Sequence, residues 1–296
     1  MVLVVGATGL VGSEVCQRLV RKGEKVKALV RPTSSPEKIA TLQSSGVELS
    51  VGDLKDPASI HAACLGVDSV ISTASSTLSR QAGDSIGSVD CNGQLNLVEA
   101  AKSAGVERFV FVSFRRPRGI SSPLSEAKRR VENEIASMNF TTIQASWFME
   151  VWLSPALGFD YQNAAARIYG SGTNPVSWVS FRDVAGMIAL ALRHPAAERR
   201  TIEFGGPEAL TPLEVVKRFE KISGKSFKLE HVPEEALRAQ YEEATDPMQK
   251  TFAALMLACA HGDAMEMADL IDIYGLRLTS VDEYARACLG QAAQTT

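Results

Sequence analysis

Short runs of apolar, mostly β-branched residues alternate with helical periodicity through the first half of the chain. Between the first two runs, Val11, Val15 and Leu19 recur at four-residue spacing, which predicts an amphipathic helix that ends near Gly23. Alternating strands and helices predict a doubly wound parallel sheet with helices on both faces, whose ligands bind at the carboxyl ends of the strands. The six runs that predict strands cover residues 2–5, 25–30, 47–51, 68–73, 108–113 and 141–146.

The alternation loosens beyond about residue 150, and a domain boundary is predicted there. Residues 1–150 form the predicted doubly wound domain, and residues 151–296 form a smaller, mainly helical α/β lobe. Two further strands are predicted, at 176–180 and 201–206. Helix starts are predicted where a capping side chain precedes proline or stands three residues before glutamate. These positions are Asp56, Ser122, Thr211, Asp246 and Ser280.

Composition and charge narrow the function classes. The 296 residues are 45% apolar and 22% charged, as in ordinary globular proteins, and the formal charge of −3 gives no basic field for nucleic acid or anionic membranes. Without an apolar run long enough to span a bilayer or a charged leader, a soluble, cytoplasmic protein is expected. The five cysteines are scattered and are expected to be reduced, and no metal site is expected because neither they nor the four histidines have ligand spacing.

A glycine-rich segment follows the first predicted strand at once. Gly6, Gly9 and Gly12 are spaced three apart at the turn into the first helix. Glycine there permits a tight turn, close approach of the backbone to a pyrophosphate, and close packing of helix on strand, while the helix N-terminus offers N–H groups to phosphates. A bare structural turn is the alternative. The candidate cofactor contacts in this segment are Gly6, Ala7, Thr8, Gly9, Leu10, Val11 and Gly12.

Arg31 ends the second predicted strand, where an NAD site usually has Asp or Glu. A guanidinium suits a 2′-phosphate, so NADPH is favoured over NADH, although Arg31 as an ordinary surface residue is the alternative. Asp53 follows the third strand and is a candidate to bind the adenine amino group or to cap its own loop. Small residues end the fourth strand, as needed where the backbone passes beneath a dinucleotide; they include Thr73, Ala74 and Ser75.

In several segments the chain resembles the atypical short-chain dehydrogenases/reductases, and within them the NmrA-like group. The segments cover nearly the whole chain: GATGLVG (6–12), VR (30–31), GDL (52–54), NLVEAAKSAGVERFVFVS (96–113), Lys128, SWFMEVW (146–152), VSFRDVAGMIALAL (179–192) and EFGGPEALTPLEVVKRFEKISGK (203–225). The resemblance implies an NAD(P)-binding Rossmann domain with a smaller C-terminal substrate lobe, and it favours NADPH. It also adds Leu54, within GDL, to the candidate cofactor contacts.

The catalytic acid of the wider superfamily is missing. That acid is a Tyr four residues before the Lys, where this chain has Leu124, and no Tyr occurs between Ser113 and Lys128. Ser113 and Lys128 remain as candidate catalytic residues. The resemblance implies that Lys128 holds the nicotinamide ribose and takes part in proton transfer, since burial or a nearby positive charge lowers a lysine pKa. A solvated helix face formed by Lys128, Arg129 and Arg130 is the alternative.

Aromatic residues follow the fifth and sixth predicted strands. The resemblance places the segment with Trp147, Phe148 and Trp152 beside nicotinamide and substrate, which suits a flat apolar or aromatic substrate; ordinary core aromatics are the alternative. Phe114 is a further candidate substrate contact. Arg115, Arg116 and Arg118 follow the fifth strand and either orient an anionic substrate or belong to an exposed loop.

Two functions remain. The first is an NADPH-dependent oxidoreductase that reduces a small electron-poor or aromatic acceptor such as a quinone, an activated C=C or a C=N bond, which need less help from an acid than a ketone does. The second is a non-catalytic NADP(H)-binding redox sensor that regulates a partner, as Leu124 in the acid position suggests. A small-molecule substrate is expected, and the oligomeric state, monomer or dimer, stays open.

Overall fold

The computed structural model describes residues 1–78, 81–117 and 119–292, which divide into two compact units. Unit 1 consists of Met1–Phe114, Pro123–Gln144 and Val184–Ile202. Unit 2 consists of the described residues of Arg115–Ser122, Ala145–Asp183 and the chain from Glu203 onward. Both units are therefore discontinuous in sequence.

The described strands of the two units are numbered β1 to β10 in chain order. They are β1 (Val2–Val5), β2 (Val26–Val30), β3 (Glu48–Val51), β4 (Ser69–Ser72), β5 (Arg108–Phe114), β6 (Phe140–Ala145), β7 (Phe159–Asp160), β8 (Ala165–Tyr169), β9 (Arg200–Phe204) and β10 (Lys228–Val232). The six strands predicted in the first half are confirmed, each with ends shifted by no more than one residue.

Helices separate consecutive strands, except β7 and β8. They are α1 (Leu10–Arg21), α2 (Pro36–Ser44), α3 (Pro57–Cys64), α4 (Gln94–Ser103), α5 (Pro123–Ile135), α6 (Met149–Trp152), α7 (Phe181–Ala191), α8 (Pro212–Ser223), α9 (Glu234–Glu243), α10 (Pro247–His261), α11 (Ala268–Tyr274) and α12 (Val281–Ala292). A π-helix over Ile86–Gly93 runs directly into α4, and single 3₁₀ turns cover Pro155–Leu157 and Pro195–Ala197.

The large sheet has the order β3-β2-β1-β4-β5-β6-β9, which is the doubly wound order of a Rossmann fold with one added strand. The pairs β1–β2, β2–β3, β1–β4 and β4–β5 are all parallel. Val5 pairs with both Leu29 and Ser72, so β1, β2 and β4 end at the same level. The strand order reverses between β1 and β4, and this is where ligands bind in such sheets. The predicted fold class is confirmed.

Local sequence explains most helix ends. Gly23 follows α1 at φ +81° and donates to the carbonyl of Val20 at 2.9 Å, as a glycine beyond a helix end does. Thr211 and Glu214 form the predicted capping box of α8, and Asp246 accepts from Met248 and Gln249 at the start of α10.

Unit 2 has its own apolar core and a three-stranded sheet of order β10-β8-β7, which contributes Phe159, Ala166 and Ile168 to that core. The predicted strand over 176–180 is wrong, because Val176 and Val179 make only isolated bridges. The amide of Trp178 donates to the carbonyl of Val176 at 3.1 Å, and this tight turn bends the segment out of strand conformation. The strand predicted at 201–206 is β9. Among the described helices of both units, none has the length and apolarity to cross a membrane.

Candidate functional site

The glycine turn joins β1 to α1 with no space for side chains. Gly6 has φ +84°, in the left-handed region that favours glycine. A Cβ on Gly6 would lie 2.7 Å from the amide nitrogen of Ala74, and one on Gly12 would lie 2.7 Å from the carbonyl carbon of Gly6. The turn is therefore a cradle that an ordinary residue would fill, as backbone binding of a pyrophosphate requires.

The N-terminus of α1 lacks a capping group of its own. Gly9 is the N-cap residue, no side chain caps it, and the first turn holds no acidic residue. Helix N-terminal N–H groups and the positive end of the helix dipole attract an anion. In this turn Ala7 and Val11 are buried, whereas Leu10 faces outward with 46% of its surface exposed. The arrangement fits the diphosphate of a dinucleotide.

The end of β4 packs directly against the glycine turn. The amide and hydroxyl of Thr73 donate to the carbonyl of Val5 at 2.9 and 3.2 Å. The carbonyl of Ala74 accepts from Nε2 of Gln94, and the hydroxyls of Ser75 and Thr77 lie 3.1 Å apart. The small residues at 73–75 are thus placed at the switch point of the sheet, beside Gly6.

Arg31 stands directly after β2 and is tied to a buried acid. Its Nη1 donates to Oδ2 of Asp84 at 2.7 Å, and Nζ of Lys55 donates to Oδ1 of Asp84 at 2.5 Å. Burial alone would raise the pKa of Asp84, but the hydrogen bonds from Lys55 and Arg31 outweigh it and hold that pKa below its usual value. Asp84 therefore stays a carboxylate and fixes two cations.

Two further groups border the glycine turn and β3. Nζ of Lys38 donates to the carbonyl of Thr8 at 3.0 Å, which brings a lysine to the turn. Asp53 accepts from the amide of Lys55 at 2.8 Å, so its carboxylate caps its own loop, and Leu54 is buried against the π-helix at Gly93. Lys38 and Lys55 were not predicted, since an isolated surface lysine has no sequence pattern that marks it.

Lys128 is buried in unit 1 and is not part of a solvated helix face. Only 6% of its surface is exposed; its Nζ donates to the carbonyl of Val112 at 3.1 Å and lies 4.7 Å from the centre of the Phe111 ring. Burial lowers the pKa of Lys128 below its usual value, and the negative charges of Asp90 and then Glu132 act in the opposite direction. A buried lysine thus stands at the carboxyl-terminal end of β5.

Asp90 is the buried acid that faces Lys128, and sequence analysis missed it. It lies in the π-helix with none of its surface exposed, and its Oδ1 is 3.9 Å from Nζ of Lys128. The available signal was its place with Gln94 on a helical stripe that continues with the apolar residues Leu97 and Ala101. A polar residue on such a stripe indicates a buried partner.

Ser113 follows Val112 on β5, and its buried hydroxyl has no hydrogen-bond partner among the described residues. Leu124, four residues before Lys128, is buried in the first turn of α5. Unit 1 contains no tyrosine at all, because the five tyrosines of the chain are Tyr161, Tyr169, Tyr241, Tyr274 and Tyr284. Unit 1 therefore offers no phenol as a proton donor.

The aromatic candidates of unit 2 form part of a ring cluster. Trp147 and Trp152 meet edge to face with centroids 4.6 Å apart, and Trp152 meets Tyr169 at 6.2 Å. Nε1 of Trp147 is buried without a hydrogen-bond partner among the described residues. Phe148 makes a backbone bridge with Val179. Phe114 ends β5 in unit 1 and is partly exposed.

The arginines after β5 differ in their surroundings. Arg115 donates to Asp263 at 2.7 Å and to Glu203 at 3.1 Å, so acids of unit 2 already neutralise its charge. Arg116 lies within hydrogen-bond reach of Ser121. Arg118 lies outside the described residues. One predicted partner of Arg115 was an anionic substrate, but in the structure its guanidinium already pairs with the carboxylates of Asp263 and Glu203.

Known proteins resemble this chain along its length. Residues 1–285 match the NmrA-like family. An isoflavone reductase homolog of Zea mays is 32% identical over 310 residues, with 96% of each chain covered. The photosystem II assembly factor Ycf39 of Synechocystis is 28% identical over 305 residues, covering 98% of this chain and 91% of that protein. An NADPH-dependent quinone oxidoreductase of Escherichia coli, solved with NADPH, shares the fold at a TM-score of 0.80 and 21% identity, with 98% and 100% of the two chains covered.

Proposed function

The chain belongs to the NmrA-like family, and from this membership and its own site we propose that it is an NADPH-dependent reductase. Its acceptor in this proposal is a small electron-poor or aromatic molecule such as a quinone, an activated C=C or a C=N bond. The observation that carries the proposal is the buried Lys128 beside β5, a titratable side chain kept out of solvent at the carboxyl edge of the sheet.

Unit 1 supplies the groups that would hold the cofactor. The Gly6–Gly12 turn and the uncapped start of α1 would bind the diphosphate, and Thr73 to Ser75 would lie under the dinucleotide. Arg31, fixed by Asp84, would bind the 2′-phosphate together with Lys38. Asp53 and Leu54 would border the adenosine. When bound, the dihydronicotinamide supplies the hydride.

Lys128 and Ser113 would serve the reacting end. The Lys128 ammonium would donate to the nicotinamide ribose and replace the proton that the acceptor takes up. Ser113 would donate its free hydroxyl to the acceptor. Unit 1 contains no tyrosine that could protonate an ordinary ketone, so acceptors that need little protonation are favoured. Phe114, Trp147, Phe148 and Trp152 would contact a flat acceptor.

The experiment is NADPH oxidation by the purified protein with a panel of quinones, activated alkenes, imines and simple ketones. The proposal predicts turnover with members of the first three groups, none with the ketones, and a preference for NADPH over NADH. It also predicts that Lys128→Met lowers kcat with each accepted substrate. Cofactor binding without oxidation by any acceptor would contradict it.

The second candidate is a redox sensor that binds NADP(H) and regulates a partner protein. Buried Leu124 in the acid position favours it, and so does the similarity to a protein named as an assembly factor. A sensor distinguishes NADPH from NADP⁺ in affinity, whereas turnover does not require this. Isothermal titration with both forms therefore separates the candidates: a large affinity ratio without turnover supports the sensor, and equal affinities with turnover support the reductase.

A further inference from the structure

We propose that Asp90 is a positioning residue that keeps Lys128 protonated and thereby sets the alkaline limit of cofactor binding and turnover. The effect on turnover rests on the proposed reductase function. The effect of Asp90 on the protonation of Lys128 does not, since it follows from the placement of the two side chains in unit 1.

Asp90 is buried; one of its carboxylate oxygens accepts hydrogen bonds and the other lies near Lys128. Its Oδ2 accepts from the amide of Ser76 at 3.0 Å and from the hydroxyl of Ser76 at 2.6 Å. Its Oδ1 has no hydrogen-bond partner among the described residues and lies 3.9 Å from Nζ of Lys128. A buried carboxylate oxygen that lacks a hydrogen bond lowers the stability of the fold. An electrostatic interaction of this oxygen with Lys128 explains why it is present.

The surroundings of Lys128 leave Asp90 as its main counter-charge. From β5 it meets the carbonyl of Val112 and the ring of Phe111, neither of which carries charge. On its own helix Glu132 is shared, because it pairs with Arg129 at 3.2 Å and accepts from Gln144 at 3.1 Å.

Helix α4 also packs on α5, and among its described residues none adds a charge that acts on Lys128. On α4, Lys102 pairs with Glu134, which lies further along α5. The π-helix therefore presents the charge that matters, in the side chain of Asp90.

Burial lowers the pKa of Lys128 and the Asp90 carboxylate opposes this effect, so removal of the carboxylate should lower the pKa further. An opposite charge 4–6 Å away shifts a pKa by roughly one to three units. In Asp90→Asn the pKa of Lys128 should therefore fall by about one unit or more. The asparagine oxygen still accepts from Ser76, so the variant removes the charge and keeps the hydrogen bonds that hold the π-helix.

The first measurement is the pH dependence of NADPH affinity and of kcat/KM in wild type and Asp90→Asn. In the variant the alkaline limb of both profiles moves to lower pH. Asp68→Asn is the matched control, since Asp68 is an acid of unit 1 that pairs with the N-terminal ammonium and Arg193. Its profiles superimpose on those of the wild type. Wild-type profiles in Asp90→Asn would overturn the proposal.

The second measurement needs neither cofactor nor turnover. NMR of protein labelled at lysine Cε gives the pKa of Lys128 directly, and the Lys128→Arg spectrum assigns its signal. A lower pKa in Asp90→Asn without reduction of any acceptor supports this inference and contradicts the reductase. Turnover with an unchanged Lys128 pKa does the reverse.

A variant that does not fold is also informative. A buried lysine without its counter-charge is strongly destabilising. If Asp90→Asn is unfolded near neutral pH, the double variant Asp90→Asn/Lys128→Met should fold, because no uncompensated charge is left inside. Failure of Lys128→Met to restore folding would mean that Asp90 acts on the structure independently of Lys128, and would overturn the inference.

Discussion

Nη1 of Arg31 lies 2.7 Å from Oδ2 of Asp84, although the two residues are 53 positions apart in the chain. The side chain of Asp84 is buried, and Lys55 holds its other oxygen. The guanidinium that would select NADPH is thus fixed before any cofactor arrives, which reduces the conformational entropy lost on binding.

Arg31→Ala should weaken NADPH binding about ten- to hundredfold, because a hydrogen bond to a charged group contributes roughly 1.5–3 kcal/mol. NADH lacks the 2′-phosphate, so its affinity should barely change. Fluorescence titration of both cofactors measures this. Arg238→Ala, which removes an exposed arginine on α9, is the control and should leave both affinities unaltered. Equal losses for NADPH and NADH would show that Arg31 does not contact the 2′-phosphate.

Asp84→Asn should lower stability near neutral pH by about 1–3 kcal/mol, because Arg31 and Lys55 lose a charged hydrogen-bond acceptor. The pKa of Asp84 lies below its usual value in the folded state, so its contribution is present above the unfolded pKa of about 3.9 and is lost as pH falls through the folded pKa. Urea denaturation at a series of pH values tests this. The wild type and the variant should differ most near neutral pH and converge in acid; a constant difference would contradict the assignment.

Gly12→Ala should destabilise the fold by at least about 2 kcal/mol, since the new Cβ would overlap the carbonyl group of Gly6. It should also abolish cofactor binding, because the turn must open. Gly290→Ala in α12 is the matched substitution at a helix glycine with open space around its Cβ position, and it should stabilise by roughly 0.5–1 kcal/mol. Thermal unfolding and NADPH titration check both. Normal NADPH affinity in Gly12→Ala would remove the turn from the cofactor site.

Trp152→Ala should raise the KM of an aromatic acceptor about three- to tenfold, the size of one aromatic pair contact, with NADPH affinity unchanged. Trp152→Phe keeps an aromatic edge toward Trp147 and Tyr169 and should have a smaller effect. Steady-state kinetics with both variants separates KM from kcat. A fall in kcat alone, with KM constant, would place Trp152 outside the acceptor site.

Features encoded within a few residues were predictable from the sequence. The turn from β1 to α1, the capping box at Thr211 and the glycine after α1 depend on neighbours only, and all three are present. The prediction of a strand around Trp178 is wrong although the valines and the tryptophan of this segment are typical of strands. The turn between Val176 and Trp178 accompanies bridges to residues distant in the chain, which local sequence does not indicate.

The charged partners of the site could not be predicted in the same way. Asp90 lies in a π-helix, where side chains have a different angular spacing from an α-helix, so helical periodicity indicated at most that Asp90 is buried and not that it faces Lys128. Asp84 pairs with Arg31 across 53 positions of the chain, and the path of the loop that contains Asp84 cannot be predicted from its local sequence. The sequence therefore indicated Lys128 and Arg31, and the structure supplied the acids that hold them.

The central claim is that bound NADPH gives up its hydride. Anaerobic single-turnover oxidation of protein-bound NADPH by a quinone tests this most directly, with deuterium at C4 of the nicotinamide in a parallel run. The account predicts oxidation stoichiometric with bound cofactor, slowed by deuterium on one face of C4, and slowed further in Lys128→Met. Tightly bound NADPH that stays reduced in the presence of every acceptor would contradict it and would identify the protein as a sensor.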